Sequence, residues 1–506
     1  MKRILLALLL SALAISGDAQ YTPGQVLTAA ELNAALAAAA AFTPPGIGTV
    51  PETITSRLNQ TIVLDAGYGA DPTGIADSYP AALKAYNYLA TIGGGKIHIP
   101  TGRFLFKSTL NILSSSIFIE GDGPSATYIL NGQSNAPAIS YGNGVAQFYG
   151  GGVSRLGFTG ARGVAGVAGQ TGLSVNKFGQ ARFEDLRFDN SGSALYIGSY
   201  WNAVSQSFIH GIETQGSLNV GTYFLNCVDI YAIGGRSDAN EADGWLLNGS
   251  EGMYLVGLSA YNNKIDGWAL TSTSPSTTPN KNNFFIGDIG DTSGSNNWDI
   301  TDSVLSFFIN DWGSTQQSVK VNKSANGFYI GTQYVSDVQF IGGAAVNNNA
   351  SGVFIDSTVS APSNISFTDF TFGNTAGSAA GNGKSGSGYG LSASNGSASG
   401  IRVNGGRFLG NATSSIYIGI GVDLQVFGNP VGYNNELHGL QTVGSGVATI
   451  RVTFATALAA SPTQILVTPW FNAGSYYLSG ISATGFTINW ATATSGTQYV
   501  SWSAKI

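Results

Sequence analysis

Charge is scarce in this chain. Lys and Arg together number 22 and Asp and Glu 28 among 506 residues, so charged side chains make up 10%, against about 25% in ordinary soluble globular chains. The net charge is −6 and no basic run occurs. That excludes nucleic-acid binding, which needs clustered Lys and Arg to displace counterions from phosphates. The single cysteine, Cys227, allows no internal disulfide. It lies in Phe224-Leu-Asn-Cys-Val228 and reads as a small buried core residue. No Gly-rich phosphate loop, zinc-ligand set or Ser-His-Asp arrangement stands out, so no cofactor and no metal site is expected. Asp291-Thr-Ser-Gly-Ser-Asn-Asn297 offers oxygen donors but lacks EF-hand or nonapeptide-repeat spacing.

What is abundant is glycine, 70 residues of it, together with Ser, Thr and Asn. A chain that solvates itself this way fits an extracellular or virion-surface β-protein. The segment from Ile62 to Leu130 organises the rest. It begins with an apolar strand and a Gly/Asp/Pro turn, Tyr68 to Gly74. A helix follows, started by Asp77 and Ser78 with Pro80 in its first turn. Ala81, Ala82, Ala85, Tyr88 and Leu89 give it an apolar stripe, and Gly93-Gly94-Gly95 stops it. Period-2 strands come next, with Ile97, Ile99, Phe104, Phe106, Ile117 and Ile119 facing one way and Lys96 and His98 the other. An open sheet coil exposes unpaired backbone and an apolar stack; an amphipathic helix makes a suitable lid.

From Val153 to Asn429 the chain repeats imperfectly. Asp243-Gly-Trp-Leu-Leu247 and Asp266-Gly-Trp-Ala-Leu270 lie 23 residues apart. Segments starting at Val338, Ile365 and Ile401 match one another, and apolar-x-x-Leu-x-Phe recurs at Val153 and Phe183. Repeats of this length with alternating strands and Asn/Gly corners mean a solenoid whose rungs bury their faces against neighbours. Asn262, Asn263, Asn347 to Asn349, Asn374 and Asn411 fall at corners, where Asn tolerates left-handed backbone and its amide can ladder. Gly373 to Gly390 reads as a surface loop. After Pro430, five or so short alternating strands from Thr449 to Ser503 read as a small β-sandwich.

The opening segment, Tyr68-Gly-Ala-Asp-Pro-Thr-Gly74, Asp77-Ser78, Gly93-Gly-Gly95, Ile99-Pro100 and Gly102, resembles that of the pectate-lyase-like right-handed parallel β-helix superfamily. It departs from the family's usual Asp-Phe before Gly-Ala, having Gly67-Tyr68. The resemblance implies an all-β fold: a right-handed parallel β-helix over 61–430, with an N-terminal capping helix and a C-terminal β-sandwich over 431–506.

Residues 1–19 read as a secretory signal peptide with Lys2, Arg3 and an apolar run from Ile4 to Ile15; no span would remain after its removal. Residues 20–60 hold an Ala-rich helix capped by Thr28 and Glu31, a Pro/Gly linker and Thr53-Ile-Thr-Ser-Arg-Leu58. This order resembles the particle-attachment end of phage and prophage tailspikes, and the sandwich resembles phage tail-fibre modules. These resemblances imply a polysaccharide partner, a homotrimer, contact with a phage tail or baseplate through 20–60, and a virion-surface or extracellular location.

The function expected is a tailspike-like polysaccharide-recognising protein, with depolymerisation by glycoside hydrolysis as the sharpest enzymatic reading. A secreted carbohydrate hydrolase or lyase and a non-catalytic adhesin compete with it. Glycoside hydrolysis needs paired carboxylates, and the densest acidic cluster is Asp238, Glu241 and Asp243, preceded by Arg236. These three acids are the expected catalysts and Arg236 a substrate ligand. Trp201, Trp298 and Trp312 lie beside polar turns and are expected as an exposed sugar platform. Trp245 and Trp268 precede Leu by two and are expected in the core. Polygalacturonase hallmarks are missing: there is no Asn-Thr-Asp, no Asp-Asp and no Gly-His-Gly. His210 and His98 read as surface and structural residues, and His438 as part of a linker.

Overall fold

The computed structural model describes residues 60–275, 277–314, 326–373, 382, 388–428, 430–431, 433, 436–454, 457–458 and 460–505, together with two short strands, Ala41–Phe42 and Glu52–Thr53. The expected signal peptide and the Ala-rich helix lie outside the described residues, as does Asn374. Among the described residues no helix is long and apolar enough to cross a membrane.

Parallel strands coil into a β-solenoid of about 13 turns. Each turn has three faces. Face A is a 12-stranded parallel sheet running from Leu110–Ile112 to Ser414–Ile418. Faces B and C belong to one 24-stranded sheet that bends around a corner. In a middle turn, Ile197–Asn202 lies on face A, and Ser205–Gln215 runs through B and C. The bend in that strand is Gly211, and Gly234 and Gly257 repeat it with φ of 66°, 60° and 64°. Left-handed backbone is open to glycine without a Cβ penalty.

The repeats seen in the sequence are in structural register. Trp245 pairs with Trp268, Val153 with Phe183, and Gln339 with Ser366 and then Arg402. The Asp-Gly-Trp phrase has a steric cause. A Cβ on Gly244 would sit 2.6 Å from Gly267 O, and one on Gly267 would sit 2.6 Å from Asn297 O. Inside, Trp245, Trp268 and Trp298 stack at 5.5 and 4.8 Å. Their indole N–H groups donate to Ser259 O, Ile289 O and Trp312 O, so the ladder is buried without an unpaired donor. Phe285, Phe308, Phe340 and Phe367 stack in the same way from face B. At a buried corner Asn297 donates to Asn348 two turns on, and Asn348, Asn382 and Asn411 pass amide bonds along successive turns. Asn263 receives the equivalent bond from Asn240, while Asn262 and Asn347 take left-handed φ.

Helix α1, Tyr79–Thr91, starts after Ser78 with Pro80 in its first turn. The Asp77 carboxylate accepts from Tyr79 N–H and from Lys107 N–H. Its buried face is Ala81, Ala82, Ala85, Tyr86 and Leu89. Tyr88, expected there, is exposed. Tyr86 replaces it because it follows Ala82 by four residues and its hydroxyl accepts Leu113 N–H. Asp71 is a turn residue; hydrogen bonds from Thr73 and Ala76 hold its carboxyl at about 2.

At the C-terminus, two three-stranded antiparallel sheets pack around Val443, Val452, Phe486, Ile488, Trp490 and Val500. A sixth strand, Glu436–Val443, pairs along Gln498–Lys505 and contains His438, expected in a linker. Gly390, expected in a loop, is inside the strand Tyr389–Ala393.

Candidate functional site on face C

The face-C halves of three consecutive strands build the site. Arg182–Phe188, Ser205–Gln215 and Val228–Asp238 pair in parallel, with Arg187 opposite Glu213 and Glu213 opposite Arg236. Strand alternation turns these three outward, since Leu186, Ile212, Phe188, Thr214 and Ser237 are buried. The next outward position holds Asp189, Gln215 and Asp238 in turn. Residues Arg187, Glu213, Gln215, Arg236 and Asp238 line a groove of about 180 Å³.

Each arginine is tied to the acid two residues ahead of it. Arg187 Nε donates to Asp189 Oδ2 at 2.8 Å, and Arg236 Nη2 donates to Asp238 Oδ2 at 2.7 Å. Asn262 Nδ2 donates to the other oxygen of Asp238 at 3.2 Å. Arg236 also lies over the Tyr261 ring at 5.2 Å. On the other side the Tyr128 hydroxyl donates to Asp189 at 2.9 Å, and Arg103 covers the Tyr128 ring at 5.0 Å. Glu213 stands exposed between the two arginine–aspartate pairs.

Burial by itself would push the Asp189 carboxyl up. The Ser191 N–H and hydroxyl, the Tyr128 hydroxyl and the Arg187 charge outweigh it and hold Asp189 below the usual carboxylate range. Burial and the Asp189 charge raise the Tyr128 phenol, which stays protonated as a donor.

Of the expected catalysts, only Asp238 lines the groove. Glu241 lies beyond the following corner, exposed and paired with Lys264 at 2.6 Å. Asp243 lies further on, where its carboxylate accepts Asp266 N–H and burial raises its carboxyl. Asp266 and Asp299 are raised with it, each by burial first and by neighbouring acids second. Arg236, expected as a substrate ligand, lines the groove beside Asp238.

The tryptophan platform needs correction. Trp201 and Trp298 are wholly buried and stack on Phe224 and Trp268, because strand alternation puts them on the inward side of face A. They present nothing to a sugar. Trp312 is exposed and shares the outward column of Arg236, three rungs on through Ser259 and Ile289. Trp245 and Trp268 are in the core, as expected. His210 is half-exposed beside Asp185. Burial pushes the Cys227 thiol up to about 12. Among the described residues no group of three or more His, Cys, Asp or Glu is arranged to hold a metal ion.

Glu213, Arg187, Asp189 and Tyr128 escaped the sequence reading. The signal was there: Arg-Phe-Asp189, Glu-Thr-Gln215 and Arg-Ser-Asp238 fall at or just past the ends of three strands, at nearly one rung spacing.

No family model matches the sequence, and no curated protein matches it. Solved structures do. The A-module of mannuronan C-5 epimerase AlgE4 from Azotobacter vinelandii superposes with a TM-score of 0.52 at 15% identity, over 73% of this chain and 99% of that one. Tailspike gp49 of Pseudomonas phage LKA1 gives 0.52 at 12% identity, over 88% and 99%. Tailspike protein 3 of bacteriophage CBA120 gives 0.51 at 14% identity, over 84% and 68%. At such identities the likeness speaks for the fold: the chain has the parallel β-helix architecture of two phage tailspikes and an epimerase module.

Proposed function

We propose that this protein is a tailspike-like spike that recognises a polysaccharide in the face-C groove and cuts it by glycoside hydrolysis. The observation that carries the reading is the Arg187–Glu213–Arg236 column with Asp189 and Asp238 beside it. Fixed guanidinium groups suit hydroxyl-rich or acidic sugars, and two carboxylates across a cleft suit glycosidic cleavage. Glu213 and Asp238 are one rung and two residues apart. At about 4.8 Å per rung and 3.3 Å per residue their backbones are about 8 Å apart, which leaves room for a water between the two side chains, as an inverting enzyme needs between its carboxyls. Glu213 then protonates the leaving oxygen, and Asp238, oriented by Arg236 and Asn262, activates water. Trp312 extends the binding surface along the same column.

The shared fold supports this reading, since the named relatives are two tailspikes and an epimerase of a polysaccharide, but the chemistry rests on the groove. A homotrimer, attachment to a phage tail through 20–60 and a virion-surface or extracellular location belong to the same proposal.

The test is reducing-end release from surface polysaccharide of the host strain. Glu213→Gln and Asp238→Asn should each lose at least about a hundredfold in rate with an unchanged melting temperature, while Glu241→Gln keeps full release. Wild-type rates in both groove variants would refute the assignment. Binding without release by the wild type would leave a non-catalytic receptor-binding spike, a reading favoured by the way each aspartate is already engaged by an arginine.

A further inference from the structure

Face B carries a second concavity, around the corner from the groove and larger, at about 690 Å³. It owes its existence to a break in an aromatic column. One outward register position of face B runs Arg182, Phe208, Tyr231, Tyr254, Phe284, Phe307. From Tyr231 onward the rings stack face to face at 4.7, 4.8 and 5.0 Å, within 9° of parallel. Phe208 does not join them. Its ring turns to His210 at 6.4 Å and is covered by Arg182 at 5.6 Å. Tyr231 is therefore the end of the ladder: one ring face rests on Tyr254, and among the described residues no ring stacks on the other. The Tyr231 side chain is half-exposed.

The rim of this slot is polar in a particular way. Gln180, Gln206 and Asp229 occupy successive left-handed corner positions, with φ of 53°, 48° and 55°, and all three are exposed. Primary amides and a carboxylate offer paired donors and acceptors. The Arg182 charge is engaged by Glu184 at 2.6 Å, which leaves Asp229 as the uncompensated charge at the rim.

A flat ring face with amide and carboxylate partners beside it matches one face of a pyranose, whose C–H groups cover an aromatic ring while its hydroxyls reach sideways. The Asp229 carboxylate disfavours a uronate by like-charge repulsion. We propose that the slot at the end of the face-B ladder is a second saccharide site, taking a neutral pyranose unit stacked on Tyr231. It shares only a ligand class with the face-C groove and uses none of its residues.

Saturation-transfer NMR with maltotetraose, cellotetraose and glucuronic acid on the full chain tests it. At least one neutral tetrasaccharide should bind the wild type and Glu213→Gln equally, with glucuronic acid silent at this site. Tyr231→Ala should weaken that binding roughly tenfold or more, and Gln206→Ala should weaken it with an unchanged melting temperature, guarding against a folding artefact. Undiminished binding by Tyr231→Ala, loss of binding by Glu213→Gln, or no binding of either neutral probe to the wild type would overturn the proposal. Reducing-end release in the groove variants is read separately, so either site can fail without the other.

Discussion

The backbone N–H of Asp288 donates to Asp311 Oδ1 at 2.7 Å in the interior of the solenoid, where both side chains are wholly buried. Asp288 accepts in turn from Leu258 N–H and Ile286 N–H, while Asp311 Oδ2 has no partner. Two adjacent buried carboxylates cannot both ionise.

Stability should therefore fall as pH rises. Burial pushes Asp288 up to about 8, and burial with the Asp288 charge raises Asp311 as well. Burial also raises Asp302, to about 7. In the unfolded chain these groups ionise near 4, so between about pH 4 and pH 8 the folded state binds more protons. Their stabilisation is complete below the unfolded pKa and is lost as pH climbs through the folded values. Melting temperatures should decline steadily from pH 5 to pH 8.5. Asp311→Asn keeps the Oδ1 acceptor and should flatten the decline; an unaltered slope would count against this buried pair as its source.

The tryptophan ladder predicts a large local cost. Trp268 is held between Trp245 and Trp298 with its N–H satisfied by Ile289 O. Trp268→Ala should destabilise by about 3–5 kcal/mol in denaturant unfolding. Trp312→Ala, on the outer surface, should cost less than about 1 kcal/mol while weakening polysaccharide binding.

The asparagine ladder predicts a smaller one. Asn348 receives Asn297 Nδ2–H and donates to Asn382 and to Gly313 O. Asn348→Ala takes away the donor to Gly313 O and one of the two acceptors of the Asn297 amide, while Asn382 Oδ1 keeps the Asn348 backbone N–H, a loss of about 1–3 kcal/mol. Asn348→Asp should be no milder, because it removes the donor and buries a charge. Unfolding of the two variants side by side checks the order.

The fold was readable because its rules are local and periodic. Asp-Gly-Trp at 23-residue spacing, the Val338, Ile365 and Ile401 phrases and the corner asparagines each report one rung, and rungs repeat. The groove was harder to see because it is made across rungs. Arg187, Glu213 and Arg236 belong to three strands, and their common column appears only when the register is known. Asp238, Glu241 and Asp243 are close in sequence, but a corner stands between them and sends the acids to different surroundings. The same logic misled the tryptophan reading: a polar turn beside Trp201 or Trp298 says nothing about which way a strand residue points.

The groove's acid limb can be traced to one phenol. Asp189 stays low because the Ser191 groups, the Tyr128 hydroxyl and Arg187 outweigh its burial. Removing the hydroxyl deletes one of the bonds to the charged form and leaves the burial in place, so Tyr128→Phe must raise the Asp189 pKa. A protonated Asp189 no longer balances Arg187, whose freed guanidinium then turns into the groove beside Glu213. Polysaccharide binding measured by tryptophan fluorescence between pH 3 and pH 7 should therefore show its acid-side transition at higher pH in Tyr128→Phe than in the wild type. Asp189→Asn should abolish that transition. A transition that stays where it was in both variants would mean that Asp189 does not govern the groove's charge.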